Sequence, residues 1–278
     1  MNHEKVENLP LAYTARWTAS ARSKESLRDD RLFYDPWAAA LAGVEGANWI
    51  AQQSGGDSLM VIRTCYFDDF LQDAVVQRGM RQVVIMAAGL DTRAYRLPWP
   101  DQTLLYEIDQ DIVLNYKAEV LGAAGAQLAC ERISVAGDLT GPWLARLLEA
   151  GFDATKPAAW LLEGILFYLP NEEIARILGE ISILAAQGSR LGFDIINSLT
   201  LTSPHIKTWI EMQAKAGAPW IGSLDDPESF LQELGWQAMM TQPGAPDAHF
   251  NRWTLPIIPV KMPNMPHQWY VTASKMNA

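Results

Sequence analysis

The sequence is poor in cysteine and in charged residues. Its 278 residues include two cysteines, Cys65 and Cys130, which are too few for a disulfide framework and lack the spaced Cys and His partners of a zinc site. Charged residues make up 19% of the chain and hydrophobic residues 49%, whereas a typical globular protein has about 25% charged residues. This composition argues against a disordered or coiled-coil chain and indicates a globular protein, for which we expect no bound metal.

A basic surface and a targeting segment are missing as well. The 22 Lys and Arg residues are outnumbered by 32 Asp and Glu residues, giving a net charge of −10, so no nucleic-acid partner is expected. Residues 1–11 carry Glu4 and Glu7 where a signal peptide needs a basic stretch. The most apolar run, residues 158–170, contains Glu163 and is shorter than the roughly 20 residues that span a bilayer. We therefore expect a cytoplasmic protein with no membrane partner.

After residue 80, short apolar runs alternate with segments of helical periodicity. The runs predict buried strands at 82–86, 103–108, 133–136, 158–162, 190–195, 236–241 and 269–273. The first eighty residues have helical spacing, and the alternation is interrupted by residues 197–222, which we interpret as an insertion over one edge of the sheet. Alternating strands and helices build a parallel sheet through right-handed crossovers, which predicts an α/β fold.

The residues that follow the predicted strands are the candidates for ligand binding, because open parallel sheets bind ligands beyond the carboxyl ends of their strands. Ala87 and Gly89 follow the first strand, and their small size allows a ligand to approach the backbone closely. Glu107 and Asp109 end the second strand, where a carboxylate can accept hydrogen bonds from ribose hydroxyls. A nucleoside is therefore the natural ligand.

Two further strand ends also carry acidic residues. Asp138 and Leu139 follow the third strand and offer a carboxylate and an apolar side chain for an adenine amino group and ring. Glu163 follows the fourth strand within a very apolar stretch, so its carboxylate should have a partner. Each residue could instead belong to an ordinary turn or helix cap. Their joint placement after successive strands favours a ligand site.

Three segments at these positions, residues 88–97, 106–110 and 160–169, resemble the leucine carboxyl methyltransferase family, most closely its bacterial and polyketide O-methyltransferase branch. Residues 35–38 and Arg63 also match, so the resemblance covers roughly residues 12–196 and extends weakly to the end. It implies an S-adenosylmethionine-dependent O-methyltransferase whose acceptor is a small, natural-product-like molecule.

The resemblance also implies the architecture in more detail. It implies a seven-stranded, mostly parallel, Rossmann-like methyltransferase sheet with an N-terminal helical cap over residues 1–80. The S-adenosylmethionine-binding domain would then occupy residues 81–278 and contain the insertion 197–222 after the fifth strand, and cap and domain would form one compact unit.

The resemblance further implies roles for single residues at the methionine end of the cofactor. Arg63 would pair with the methionine carboxylate and Glu163 would face the ammonium group, while Gly89 would line this end. The family usually has Gly-Ala-Gly where this chain has Ala87-Ala88-Gly89. We expect the added methyl group of Ala87 to be a small perturbation, provided that its backbone dihedrals are ordinary for a residue other than glycine.

At the nucleoside end, the resemblance implies that Asp109 would hold the ribose, with Glu107 as an alternative contact. Asp138 and Leu139 would flank the adenine ring.

Transfer of a methyl group requires the acceptor oxygen to be held in line with the methyl carbon, at about 3 Å. A carboxylate acceptor needs no base, whereas a phenol, with a pKa of about 10, benefits from one. His205 and His249 are the candidate bases. Tyr13 and Arg22, together with Arg16, lie in the first predicted helix and could steer an acidic acceptor.

We expect a small apolar or aromatic acceptor between the N-terminal helices and the insertion, which carries Trp209 and Trp220. The sequence leaves one other function open and disfavours another. A protein that binds the cofactor without turnover stays open because of Ala87. A nicotinamide-dependent oxidoreductase is disfavoured, since the chain lacks the third glycine of a dinucleotide motif and a Tyr-x-x-x-Lys pair.

Overall fold

The computed structural model describes residues 10–52, 57–260, 262 and 264–276, with only the backbone for residues 10–13 and 49–52. Its centre is a seven-stranded sheet with the strand order β3-β2-β1-β4-β5-β7-β6. The strands are β1 (Gln82–Met86), β2 (Leu104–Asp109), β3 (Glu131–Ala136), β4 (Ala158–Leu162), β5 (Arg190–Ile196), β6 (Trp236–Thr241) and β7 (Gln268–Lys275). The prediction of a seven-stranded α/β fold is confirmed.

The first five strands run parallel, and β7 runs antiparallel to both β5 and β6. The helices before the sheet are α1 (Pro10–Ser26), α2 (Ala38–Gln52) and α3 (Asp57–Gln72), the last of which continues into a π-helical turn, Asp73–Gln77. The others are α4 (Arg93–Arg96), α5 (Asp111–Ala123), α6 (Trp143–Glu149), α7 (Asn171–Leu184), α8 (Ser198–Leu201), α9 (Lys207–Lys215) and α10 (Pro227–Glu233).

Helix α7 shows how the local sequence sets an element. Its buried residues Ile174, Ile177 and Ile181 recur at helical spacing and pack on the sheet. Glu172 and Glu173 lie in the first turn, where negative charge is stabilised by the helix dipole.

Both faces of the sheet are covered by apolar side chains. On one face Trp143, Trp160 and Phe193 belong to a large buried cluster that also contains the apolar residues of α7. On the other face Phe67 of α3 packs with the residues of β1 and β2. A side chain at Gly192 would place its Cβ atom 2.8 Å from the Phe70 ring, so this glycine allows α3 to lie directly on the sheet.

The direction of winding reverses between β1 and β4. β1 pairs with β2 on one side and with β4 on the other, so the loops after these strands diverge and leave a crevice at the carboxyl edge of the sheet. Helix α1 packs against α2 and α3 beside this edge. The helices of the described residues include none long and apolar enough to span a membrane.

Candidate active site

A cavity of about 740 Å³ lies at the carboxyl edge of the sheet. One side, here named the strand-end wall, is formed by residues 85–91, Asp109, Gln110, Glu163, Gly164 and Arg63. The other side, here named the aromatic wall, is formed chiefly by Trp17, Phe167, Tyr168, Trp209 and Trp220. The crevice predicted from the strand order is therefore a pocket with two chemically different sides.

The loop after β1 turns sharply at the strand-end wall. Ala87 and Gly89 both have a φ of 50°, which lies in the left-handed region that favours glycine. The backbone dihedrals of Ala87 are therefore not ordinary for a residue other than glycine, so the condition for a small perturbation is not met. The loop holds this alanine in a conformation that suits the glycine expected there from the resemblance.

The turn brings this loop against the end of β2. The Gly89 N–H donates to Oδ2 of Asp109 at 2.6 Å, and the Gln110 N–H donates to Oδ1 at 2.7 Å. Burial raises the pKa of Asp109, and these two backbone hydrogen bonds oppose the shift. Asp109 is thus a partly desolvated acceptor, fixed in orientation at the edge of the cavity.

A cluster of charged residues lies below the same wall. Glu163 accepts from Arg63 Nε at 2.9 Å and from Arg93 Nη2 at 2.8 Å. Arg63 also donates through Nη1 to Asp194 at 3.0 Å, and Asp194 accepts the Gly164 N–H at 2.6 Å. Burial alone would raise the pKa of Glu163, but the positive charges of Arg93 and Arg63 outweigh it and the pKa is lowered. Glu163 is therefore ionised at neutral pH.

Gly164 allows Arg63 to reach this position. Its φ is 71°, and a Cβ atom there would lie 3.0 Å from Nη2 of Arg63. Any larger residue would be strained by its backbone and would press on the guanidinium group.

The aromatic wall brings together distant parts of the chain. The ring centroids of Trp17 in α1 and Trp209 in α9 are 5.1 Å apart, and those of Trp209 and Trp220 are 6.4 Å apart. Trp220 also packs on Phe167, with centroids 4.7 Å apart. The expectation that the insertion folds back over the carboxyl edge of the sheet therefore agrees with the structure.

The residues of the cavity suit a nucleoside joined to an amino acid. Its volume lies within the range of roughly 300–1,000 Å³ that is usual for small-molecule sites. Asp109 offers an oriented carboxylate for hydroxyl groups, while Arg63 and Glu163 offer one charge of each sign at the cavity for a zwitterion. S-adenosylmethionine has these features, and the side chains present fit it.

A family model of leucine carboxyl methyltransferases matches residues 15–182. The chain belongs to the leucine carboxyl methyltransferase family. A relative from Parafrankia sp., named "Putative S-adenosyl-L-methionine-dependent methyltransferase", is 39% identical over 236 residues, which cover 81% of this chain and 76% of the relative. A protein of the same name from Streptomyces coelicolor is 38% identical, covering 81% of this chain and 82% of its own.

Solved structures agree on the fold. A DUF574 family protein from Streptomyces avermitilis superposes with a TM-score of 0.62 at 15% identity, covering 94% of this chain and 97% of that one. An O-methyltransferase family protein from Burkholderia thailandensis gives a TM-score of 0.51 at 14% identity, covering 96% and 70%. The expected family and the expected enzyme class, a methyltransferase, are thus confirmed, and the expected cofactor, S-adenosylmethionine, agrees with the names of the relatives.

Of the residues predicted to bind the cofactor in this methyltransferase, five line the cavity: Arg63, Ala87, Gly89, Asp109 and Glu163. Arg63 and Glu163 also bind each other, so they form one ion pair at the cavity rather than two separate contacts.

Glu107 does not line the cavity. It is fully buried, and its Oε2 lies 2.7 Å from Lys117 Nζ and 2.6 Å from Arg132 Nε. The reason is position along β2: Glu107 precedes the strand end by two residues, or about 6.5 Å of strand rise. The structure therefore places Asp109, and not Glu107, at the cavity.

Asp138 and Leu139 also lie outside the cavity. Asp138 is exposed, and its Oδ1 accepts from the Thr140 N–H at 2.9 Å and from the Thr140 hydroxyl at 2.8 Å. Leu139 is buried in the core, and its carbonyl accepts from Arg176. This is the ordinary turn that was the alternative interpretation of these residues.

Neither predicted base lines the cavity. His205 is exposed, and His249 is half-buried with its Nδ1 accepting the Asn251 N–H at 3.1 Å. The neighbouring Ile206 does line the cavity, so the insertion reaches the site although the side chain of His205 does not.

The basic residues of α1 have structural partners. Arg22 lines the cavity, but its guanidinium donates to Asp35 at 2.8 Å and to the Leu90 carbonyl at 2.7 Å. Arg16 pairs with Glu45. The side chain of Tyr13 lies outside the described residues.

Three residues of this site were not predicted from the sequence. Arg93 lies inside the segment 88–97 that carries the resemblance, and Asp194 is a carboxylate within an apolar predicted strand, so both had a readable signal. His267 had none, because it follows a proline-rich stretch. It reaches the cavity because β7 is antiparallel to β5, with Gln268 opposite Ile196.

Proposed function

We propose that this S-adenosylmethionine-dependent methyltransferase methylates an oxygen atom of a small apolar or aromatic acceptor, either a carboxylate or a phenolic hydroxyl, of the kind found in natural products. The observation that carries this proposal is the aromatic wall. Its large flat rings face the strand-end wall across one cavity and suit an acceptor with an apolar or aromatic frame.

The residues of the strand-end wall would hold the cofactor. Asp109 would accept hydrogen bonds from the ribose hydroxyls, and Gly89 would let the methionine end approach the loop. Arg63 would donate to the carboxylate and Glu163 would accept from the ammonium group. When bound, the cofactor supplies a methyl group that is already activated by a sulfonium.

The aromatic wall would orient the acceptor and exclude water. Trp209 and Trp220 are anchored by contacts with Trp17 and Phe167, so their rings present a preformed surface. Holding the acceptor oxygen in line supplies most of the acceleration that such a reaction needs, because a bimolecular encounter becomes an intramolecular one. No nucleophilic side chain of the protein takes part.

The test begins with binding. S-adenosylhomocysteine should bind the wild-type protein in calorimetry, and labelled methyl groups should pass from S-adenosylmethionine to members of a panel of aromatic carboxylic acids and phenols. Binding without transfer to any acceptor of either kind would favour the non-catalytic cofactor-binding protein instead.

A single substitution tests the wall itself. Trp209→Ala removes the ring that joins α1 to the insertion, and we expect it to raise the KM for the acceptor by about tenfold or more while leaving the affinity for S-adenosylhomocysteine within about threefold. Glu211→Ala is the matched control, since Glu211 is exposed on the same helix. An equal loss of affinity for the cofactor would contradict the assignment of this wall to the acceptor.

A further inference from the structure

The loop after β1 carries backbone strain that its surroundings must hold. Ala87 and Gly89 both have a φ of 50°, and for alanine this left-handed conformation is unfavourable. A strained backbone persists only where the surrounding contacts fix it. The conformation matters for the site, because it directs the Gly89 N–H to Asp109 at 2.6 Å. The contacts that hold the loop therefore determine how the strand-end wall is presented to a ligand.

The N-terminal helices hold this loop at Leu90. The Leu90 side chain is buried in an apolar cluster with Ala19 of α1 and Leu41 of α2. Its carbonyl accepts from Nη2 of Arg22 at 2.7 Å. Because Arg22 belongs to α1, the first helix and the loop are joined by a charge-assisted hydrogen bond as well as by apolar packing.

Asp35, in the segment between α1 and α2, binds the loop a second time. Its Oδ2 accepts from Nε of Arg22 at 2.8 Å and from the hydroxyl of Thr92 at 2.6 Å. Its Oδ1 accepts the Trp37 N–H at 3.2 Å. One carboxylate thus orients the arginine that holds Leu90 and also binds the residue at the end of the loop.

The carboxylate of Asp35 is fixed in place and charged. Its side chain is fully buried, and its backbone N–H donates to the hydroxyl oxygen of Ser26 at 2.9 Å. Burial alone would raise the pKa of Asp35, but the positive charges of Arg22 and Arg96 outweigh it and the pKa is lowered. Asp35 is therefore ionised at neutral pH, and its hydrogen bonds with Arg22 and the loop are charge-assisted.

Asp35 and Thr92 act from outside the cavity. Neither of them lines it, so any effect they have on a bound ligand must pass through the loop. Residues 35–38 are also one of the segments that carry the family resemblance, and the cofactor contacts proposed above leave this segment without a role.

We propose that Asp35 is a positioning residue of the cofactor site. Through Arg22 and Thr92 it holds the loop after β1 in the conformation that presents the Gly89 N–H to Asp109, and so keeps the strand-end wall ready to bind S-adenosylmethionine. The proposal rests on the proposed cofactor contacts of that wall. Release of the loop lowers the fraction of the protein that is competent to bind, and the apparent affinity falls with that fraction.

Thr92→Val tests the link with little other disturbance. Valine is β-branched like threonine, and the Thr92 hydroxyl does not cap α4, so the change removes chiefly the hydrogen bond to Asp35. We expect the affinity for S-adenosylhomocysteine in calorimetry to fall by roughly 3- to 30-fold. Thr92→Ser keeps the hydroxyl and should bind within about threefold of the wild-type affinity.

Thr103→Val is the matched control. Thr103 and Thr92 are both 1% exposed, and the Thr103 hydroxyl likewise donates one hydrogen bond, to the Pro100 carbonyl at 2.6 Å. Thr103 precedes β2, at the end of the strand opposite to Asp109, and does not line the cavity. We expect Thr103→Val to lower stability to a similar extent and to leave the affinity unchanged, so it separates the loss of any buried hydrogen bond from the loss of this one.

A spectroscopic signature reports on the loop without turnover or a ligand. The short hydrogen bond from the Gly89 N–H to a carboxylate should move its amide proton signal to low field in nuclear magnetic resonance of the isotopically labelled full chain. We expect this signal to move upfield in Thr92→Val and to stay in place in Thr92→Ser and Thr103→Val. An unchanged Gly89 signal in Thr92→Val would overturn the proposal.

Asp35→Asn tests the charge itself. The amide keeps the shape of the side chain but removes the negative charge, so Arg22 and Arg96 lose a buried counter-charge. We expect weaker binding of S-adenosylhomocysteine than in Thr92→Val, together with a lower stability in urea denaturation. If this variant does not fold, Thr92→Val and its control still decide the proposal.

The possible results separate this proposal from the proposed cofactor site. Wild-type affinity in Thr92→Val, when Asp109→Ala binds weakly, would overturn the role of Asp35 and leave the strand-end wall as the cofactor site. Wild-type affinity in Asp109→Ala would remove the cofactor from this wall, and the positioning role of Asp35 would be overturned with it.

Discussion

The two walls of the cavity are built on different principles. The strand-end wall consists of residues at the ends of successive strands, and its charged groups are held by short hydrogen bonds, such as those of Glu163 with Arg63 and Arg93. The aromatic wall joins α1, the insertion and the residues near Phe167 through tilted and edge-on ring contacts with centroids 4.7–6.4 Å apart. Under the proposed function, the strand-end wall would hold the cofactor through fixed charge, and the aromatic wall would offer an apolar surface to the acceptor.

The two walls also differ in how many properties of the protein a substitution should affect. The charges of the strand-end wall continue into the fold, because Asp68 binds both Arg93 and Arg96. The rings of the aromatic wall pack on one another through uncharged contacts. Substitutions in the strand-end wall should therefore change stability and cofactor binding together, whereas those in the aromatic wall should change acceptor binding alone.

The largest effect is expected at Arg63. Arg63→Met leaves the Glu163 and Asp194 carboxylates facing each other without their shared cation, and breaking a buried pair in this way costs about 3–5 kcal/mol. We expect a loss of stability of that size in urea denaturation, together with loss of binding to S-adenosylhomocysteine in calorimetry. Arg78→Met, which removes an exposed ion pair with Asp73, should cost at most about 1 kcal/mol. Near-wild-type stability of Arg63→Met would show that the two walls do not differ in this respect.

A smaller effect is expected at Asp109. Asp109→Ala removes the acceptor of the Gly89 and Gln110 N–H groups and the proposed acceptor of the ribose hydroxyls. Binding of S-adenosylhomocysteine should therefore weaken by about 2–3 kcal/mol, or roughly 30- to 150-fold. Glu107→Gln is the matched control on the same strand. It disturbs a buried ion pair with Lys117, so it should lower stability while the affinity of the folded protein is unchanged. The opposite pattern would move the ribose contact to Glu107.

Acid should act on the strand-end wall through Glu163. Because the pKa of Glu163 is lowered from 4.5 in the folded protein, its ion pairs contribute full stability above that value, and the contribution is lost as the pH falls through the folded pKa. Glu163→Gln should therefore be less stable than wild type at pH 7 and should lose less stability on acidification. Parallel stability curves for the two proteins in denaturation at several acidic pH values would contradict this.

The difference between the walls also explains what the sequence could predict. Strands such as β1 and β4 are short continuous apolar runs, so they were predicted with their observed limits. Asp109 and Glu163 were found because one ends a strand and the other directly follows one. Glu107 was misplaced because it lies two residues inside β2, where it is fully buried and paired with Lys117. His267 could not be found in this way, because its place at the cavity depends on an antiparallel strand pairing that no local pattern indicates.

The smallest effect is expected at Ala87, where the strand-end wall departs from the family pattern. An L-residue in the left-handed region costs about 1–2 kcal/mol, and replacing Ala87 by glycine relieves this strain. The glycine variant also has a more flexible unfolded chain, which offsets about 0.4–1 kcal/mol of that gain in stability. Ala87→Gly should therefore stabilise the protein by about 0.5–1 kcal/mol in denaturation. It should change the affinity for S-adenosylhomocysteine by less than about tenfold, because the backbone of Ala87 already lies in the left-handed region that favours glycine. Ala88→Gly is the control next to it: Ala88 is 5% exposed and does not have a positive φ, so the same change should destabilise by about 0.5–1 kcal/mol. A methyl transfer that occurs in Ala87→Gly and is absent from the wild-type protein would mean that the alanine holds the loop in an inactive form, and the natural protein would then bind the cofactor without using it.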